Sequence, residues 1–345
     1  MKKFYGKNRN GLEVNSYTFT NKNGMEVTFL DFGAIINSAK VPDGKGGLVD
    51  VILASPDADS YIDDTNGFGA PIGPNANRVA DAVCEIDGVT YNLLKNDGEN
   101  NLHTDIPNGL HKRHWDCTEE GNSLICRVSL KDGELRLPGN REFTIKYTLT
   151  DDNEIRIDYL VKSDKNTMIN MTNHSYFNLN GHDSGLITGH TVTLASSTYT
   201  KIREGAIPTG EIVSVIGTEL DFTTGKTVGR DINSDNEQMK FVNGYDFNHC
   251  VDGYDGSVKK IAHVEADKTD ITMDVFTDLP GVHFYTGNWV CDAPGKDGAL
   301  YQARYGMCFE TQYYPDSIHH DNFPDVVFGP SRDYKSTTIF KFGVK

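Results

Sequence analysis

The feature that most restricts the fold of this chain is a period of two in its apolar residues. In Phe143–Leu149 (FTIKYTL) odd positions are apolar and even positions polar. The pattern returns in Ile155–Tyr159 (IRIDY) and in Ile271–Val275 (ITMDV). Successive side chains of a strand point to opposite faces, so such alternation marks strands buried on one side. Between the first two lies Thr150-Asp151-Asp152-Asn153-Glu154, a turn-forming cluster that predicts a hairpin. Further strands are expected in Val27–Val41, Leu48–Leu53, Leu124–Leu130, Thr167–Tyr176, His190–Ala195, Val282–Trp289, Tyr305–Tyr313 and Thr337–Phe342. Helical signals are scarce. Ser55–Asp63 could form one short helix, with Ser55 as N-cap and Pro56 in the first position. Many strands, few helices and Gly/Asn/Asp punctuation point to an all-β chain folded as a large antiparallel β-sandwich. No internal repeat, low-complexity tract or Pro/Ser-rich linker divides it, so a single domain over 1–345 is expected.

Composition narrows the partners. A chain of 345 residues, 37% of them hydrophobic, can bury a large core without disulfide staples. The net charge of −16 argues against nucleic acid and anionic membrane, both of which call for basic surfaces, and by itself identifies no partner. The six cysteines include no C-x-x-C pair. The N-terminal MKKFYGKNRNGLEV carries no apolar signal region, and no run of roughly 18 apolar residues spans a membrane. Together these features lead to the expectation of a cytoplasmic protein with free thiols.

Three polar clusters sit inside apolar strand surroundings. Thr172–Leu179 (TNHSYFNL) ends one strand; in an extended chain Asn170, Thr172 and His174 share a face. Gly306–Gln312 (GMCFETQ) sets Cys308, Glu310 and Gln312 on one face, with Met307 and Phe309 on the other. Enclosure of Glu310 would raise its pKa above the free value of about 4.3 and make it a better base. Gly73–Arg78 (GPNANR) joins an amide to a guanidinium, whose fork of donors suits hydroxyl or carboxylate oxygens. Taken singly, each is better explained as a structural histidine, a solvated carboxylate or a surface ion pair. His103, Asp105, His111 and His114 lie close in sequence, but no HExxH or helical pair accompanies them, so no metal site is expected.

In chain order the segments FGAPIGPNANRVADA, NNLH, MTNHSYFNLNGH, IPTGEI, LDF, NGYDFNH, PGVHFYTGN and FETQYYPDS resemble the aldose 1-epimerase (galactose mutarotase) family over most of the chain. The combination of NHSYFNL with a later FETQ is the specific part. The resemblance implies a mutarotase-like supersandwich and an isomerase that interconverts the α and β anomers of a free aldohexose. It implies Glu310 as catalytic base and His174 as catalytic acid. By the same resemblance, His103 binds substrate, Asn77 and Arg78 grip sugar hydroxyls, and Asp246 accepts hydrogen bonds from the sugar. No cofactor or metal is implied; the partner is a monosaccharide and the chain a monomer or homodimer. The chemistry suits these residue types. Ring opening removes a proton from the anomeric hydroxyl while the ring oxygen gains one, and a histidine with a free pKa of about 6.5 keeps a protonated fraction near neutrality.

Three departures bear on specificity. Family members usually carry Gly-Arg where this chain has Gly73-Pro74, and two glycines where Thr104-Asp105 follow His103. A glutamine is common where His283 stands; His283 shares a strand face with Tyr285 and could point into the site. The alternatives are a non-catalytic sugar binder, or an epimerase for a different aldose, on the same fold.

Overall fold

The alternating segments pair with one another. The computed structural model describes residues 1–345. Its largest sheet has nine strands, in the order Asp116–Glu120, Ser123–Leu130, Arg141–Leu149, Glu154–Ser163, Tyr334–Val344, Ile271–Thr277, Lys259–Glu265, Thr191–Leu194 and Lys226–Thr227. Its neighbouring strands are antiparallel throughout. Phe143, Ile145, Tyr147, Ile155, Ile157 and Tyr159 are buried on one face, as the period of two requires. Fully burying such a side chain contributes about 1.5–3 kcal/mol. The Thr150–Glu154 turn closes the expected hairpin, Thr150 N–H donating to the Glu154 carbonyl at 3.0 Å.

Two five-stranded antiparallel sheets complete the frame. One is an N-terminal meander from Lys2–Lys7 to Leu48–Asp50. The other has the order Ile207–Ser214, Thr198–Arg203, Asp246–Cys250, Gly281–Tyr285 and Cys308–Gln312. A cluster of 69 buried apolar residues fills the interior, and the nine-stranded sheet and both five-stranded sheets contribute to it. The all-β, antiparallel architecture expected from the sequence is the one observed. No helix is long and apolar enough to cross a membrane.

Several local expectations are corrected. Val27–Val41 is two strands, Glu26–Leu30 and Ile36–Pro42, separated by a turn at Gly33. Gly33 has φ 67°, and a Cβ there would lie 2.5 Å from the His111 carbonyl oxygen. Thr167–Tyr176 is also broken, into Thr167–Met168 and Thr172–His174. Between them the Asn170 N–H donates to the Pro74 carbonyl at 2.7 Å, so the backbone leaves the ladder for a loop. The short helix is Ser60–Asp63, not Ser55–Asp63. The Asp57 carboxylate accepts from the N–H groups of Asp59 and Ser60, which starts the turn later than a Ser55 cap would. A second helix, Glu237–Val242, is capped by Asn236 and had no distinct sequence signal. The expectation that every thiol is free also fails. Cys117 and Cys126 are register partners in adjacent strands and form a disulfide; Cys84, Cys250, Cys291 and Cys308 are free. Nine residues apart in sequence, they reveal their opposition only once the hairpin register is known.

Candidate active site

One wall of a cavity of about 240 Å³ is built by strands. Across the Asp246–Cys250, Gly281–Tyr285 and Cys308–Gln312 strands, Asp246, Tyr285 and Cys308 form one row and Asn248, His283 and Glu310 the next. All six side chains therefore share one sheet face. Above them, the Thr172–His174 strand pairs with Ala70–Ile72. A pair of backbone hydrogen bonds between Phe177 and Met307 fixes its register against the Cys308–Gln312 strand. That register brings His174 Nε2 to 3.5 Å from Glu310 Oε1, with His174 Nδ1 3.6 Å from Cys308 Sγ. Glu310 is 2% exposed and His174 6%.

The opposite wall is built by loops. Leu102 and Arg78 are register partners in a two-strand ladder. Beyond it the chain turns through residues of positive φ: Asn77 (61°), His103 (54°) and Thr104 (63°). Side-chain bonds hold this geometry. Thr104 Oγ1 donates to the Asn75 carbonyl and accepts from the Asn75 N–H, both at 2.9 Å. Thr104 thus occupies the left-handed conformation usually left to glycine and anchors it with its hydroxyl. His103 N–H donates to the Asn77 carbonyl at 3.0 Å, and His103 Nδ1 accepts from the Asn77 N–H at 3.1 Å. An acceptor at Nδ1 leaves the proton of a neutral imidazole on Nε2, so His103 offers a donor. Arg78 Nε donates to Asp97 Oδ2 at 2.8 Å, and its Nη1 lies 3.8 Å from Asp246 Oδ2.

Burial and charge tune these groups against one another. Desolvation, reinforced by the Asp246 charge, pushes the Glu310 carboxyl well above the usual carboxylate range. Desolvation pushes His174 down to about 4 and His103 well below its ordinary value. The expected protonated fraction of His174 near neutrality is therefore corrected: the shifts favour a neutral imidazole, and a proton shared by the two groups prefers Glu310 to His174. Asp246 goes the other way. Burial acts to raise its pKa, but the hydrogen bond from His283, at 2.5 Å, and the charges of His283, Arg78 and His174 outweigh it. Asp246 remains ionised.

All seven residues singled out in the sequence line this cavity: Asn77, Arg78, His103, His174, Asp246, His283 and Glu310. The remaining lining includes Tyr176, Tyr285, Trp289 and His111. Tyr285 was legible from its alternation with His283. Trp289, 61% exposed at the rim, lies beyond the strand, which ends at Tyr285 and not at Trp289 as expected, so alternation did not place it. Of the four residues weighed as a metal cluster, only His103 and His111 line the cavity. Asp105 instead caps its own turn at Asn108, and the His114 side chain is 44% exposed beside Asp31. The ligand atoms of His103, His174 and Glu310 do lie within 4.8 Å of one another. The set fits a hydroxylated ligand better than a metal, because the His103 Nε2 that would have to donate a lone pair carries the proton.

A family model described as Aldose 1-epimerase matches residues 15–341. The chain is 34% identical to the aldose 1-epimerase of Escherichia coli (strain K12), covering 94% of each. It is 36% identical to the human galactose mutarotase, over 93% of this chain and 92% of the relative. Among solved structures, an aldose epimerase homologue from C. elegans superposes with a TM-score of 0.88 at 27% identity, covering 96% of this chain and 99% of the other.

Proposed function

From the premise that this chain belongs to the aldose 1-epimerase family, and is an isomerase that interconverts sugar anomers, we propose that it acts on a free aldohexose of the glucose and galactose class by acid–base ring opening and closure. The observation that carries the reading is the buried pair: Glu310 Oε1 and His174 Nε2 stand 3.5 Å apart in the cavity, with hydroxyl-binding groups opposite. With Glu310 raised and His174 lowered, a proton held by the pair rests on Glu310 rather than on His174. Hydroxyls of an incoming sugar donate to the carboxylate and favour its ionised form, which moves that proton to His174. Glu310 then takes the proton of the anomeric hydroxyl while His174 gives one to the ring oxygen, and the ring opens. Rotation about the bond between the first two carbons exposes the other carbonyl face. Closure reverses both transfers, so the pair ends with the single proton it began with.

The other residues hold the open chain in place. His103 Nε2–H, the Asn77 amide and the Arg78 fork donate to hydroxyls; Asp246, oriented by His283, accepts. Arg78 is the one arginine or lysine in the lining, and Asp97 and Asp246 already neutralise it. That favours a neutral aldose over a sugar phosphate, which wants unpaired cations. The proposal extends to one folded unit over 1–345 and a cytosolic setting. The Cys117–Cys126 bond weighs against the setting, since cytosolic thiols are usually kept reduced.

Polarimetry is the test. Added to fresh α-D-glucose or α-D-galactose, the protein should speed the approach to anomeric equilibrium, and Glu310→Ala should abolish the effect. No acceleration on either sugar, or an E310A variant as fast as the parent, would overturn the reading.

A further inference from the structure

Behind the cavity floor the same sheet face continues as a file of buried polar groups that the mechanism does not use. The row next to Asn248, His283 and Glu310 is Cys250, Gly281 and Gln312. Asn248 is 1% exposed and Gln312 fully buried, yet both polar atoms of each amide lack a protein partner. Neither residue lines the cavity, so a bound sugar does not satisfy them. The orphaned atoms continue toward the site: His283 Nδ1, Glu310 Oε2 and Thr172 Oγ1 are buried without partners too. Extending the Phe177–Met307 pairing sets His174 opposite Glu310 and Thr172 opposite Gln312.

Gly281 explains why the amides can gather there without bonding each other. A Cβ at this position would lie 2.4 Å from Asn248 Oδ1, 3.1 Å from the Tyr314 ring and 3.2 Å from the Gln312 carbonyl oxygen. The missing side chain leaves the space into which the Asn248 amide projects. Leaving so many donors and acceptors dry is far costlier than ordering a few waters among them.

We infer that Asn248, Gln312 and Thr172 hold a small cluster of internal water behind Glu310, and that the two amides are positioning residues that hydrate the carboxylate from the side the sugar does not reach. The inference rests on Glu310 being the base. Its consequence is for proton placement. Glu310 is faced by His174 from the Thr172–His174 strand, by Asp246 and His283 from the adjoining strands, by Arg78 and His103 from the loop wall, and by Cys308 on its own strand. Asp246 opposes ionisation of Glu310. Hydration from behind supplies donors that make the ionised form accessible once sugar binds.

The test removes the amides with little change of shape, as Gln312→Met and Asn248→Leu, and follows mutarotation of α-D-glucose across pH. Each variant should lower kcat by about tenfold and move the alkaline limb up by about one pH unit. KM should stay within about twofold, because neither residue touches sugar. A high-resolution crystal structure of the parent should place ordered water between the two amides. If the parent is active but both variants keep its kcat and its alkaline limb, the inference is wrong. It is equally wrong if the crystal shows the amides bonded to each other or dry. An inactive parent would instead remove the functional reading. Should Q312M fail to fold, N248L decides alone, since it leaves Gln312 in place.

Discussion

The two walls of the cavity hold their polar groups by different physics. On the strand wall, Asp246, His283 and Glu310 are placed by register: a period of two and three adjacent ladders put them on one face without local help. On the loop wall, Asn77, Arg78 and His103 are placed by positive φ and by side chains that bond backbone, with Thr104 and Asp97 as the fasteners. The strand wall carries the deeply buried groups to which the proposed mechanism assigns proton exchange; the loop wall carries donors. A ladder tolerates the loss of one side chain and keeps its geometry, whereas a loop held by two or three bonds does not. Damage to the strand wall should therefore appear in kcat, and damage to the loop wall in KM and stability.

The largest effect is expected from Glu310→Gln, which keeps the shape of the strand wall and removes the carboxylate proposed as its base. Mutarotation should fall by about 10²–10⁴-fold with an unchanged melting temperature; a matching loss of stability would mean that the residue is structural. The pH–rate profile sharpens the same wall. Below about 4, where His174 takes a second proton onto the pair, no base remains. Above the raised pKa of Glu310 the pair loses its only proton, and no acid remains. The rate should fall about tenfold per pH unit beyond either limb, and a profile with no fall on either side would contradict the pairing. The acid limb needs a folding control. Unfolded histidines take protons near 6.5, while buried His111, His174 and His249 resist until about 3 to 4, so stability falls as pH drops through that window.

The loop wall is broken most directly by Thr104→Val, which strips both bonds to Asn75 and leaves its N–H and carbonyl buried. Urea denaturation should register a loss of about 1–3 kcal/mol, with KM raised several-fold and kcat nearly kept. A kcat loss comparable to that of E310Q would erase the distinction between the walls. The smallest effect is expected from Asp97→Asn. Arg78 keeps Asp246 as a neighbour but loses a part-exposed partner, so KM should rise by about threefold or less; an unchanged KM would mean that Asp97 does not position the fork.

Much of this was legible in the sequence. The alternation of Phe143–Leu149, Ile155–Tyr159 and Ile271–Val275 predicted strands that pair as neighbours or near neighbours in one sheet. The ordered motifs marked the seven residues that meet in the cavity. Legibility failed where both faces of a segment are buried: Asp246–Cys250 is enclosed throughout, and its polar Asp246 and Asn248 read locally as a solvent face. It failed again where a loop interrupts an extended-looking run, as between Met168 and Thr172.

The sequence by itself determined which residues could carry acid–base chemistry and which faces of the strands they occupy, because period and residue type are local properties of one segment. The tertiary structure decided that Glu310 is shifted up and His174 down, that Cys117 meets Cys126, and that His103, His174 and Glu310 converge from segments far apart in the chain. Desolvation and register are sums over what other strands bring to a point, and no single stretch of sequence contains them.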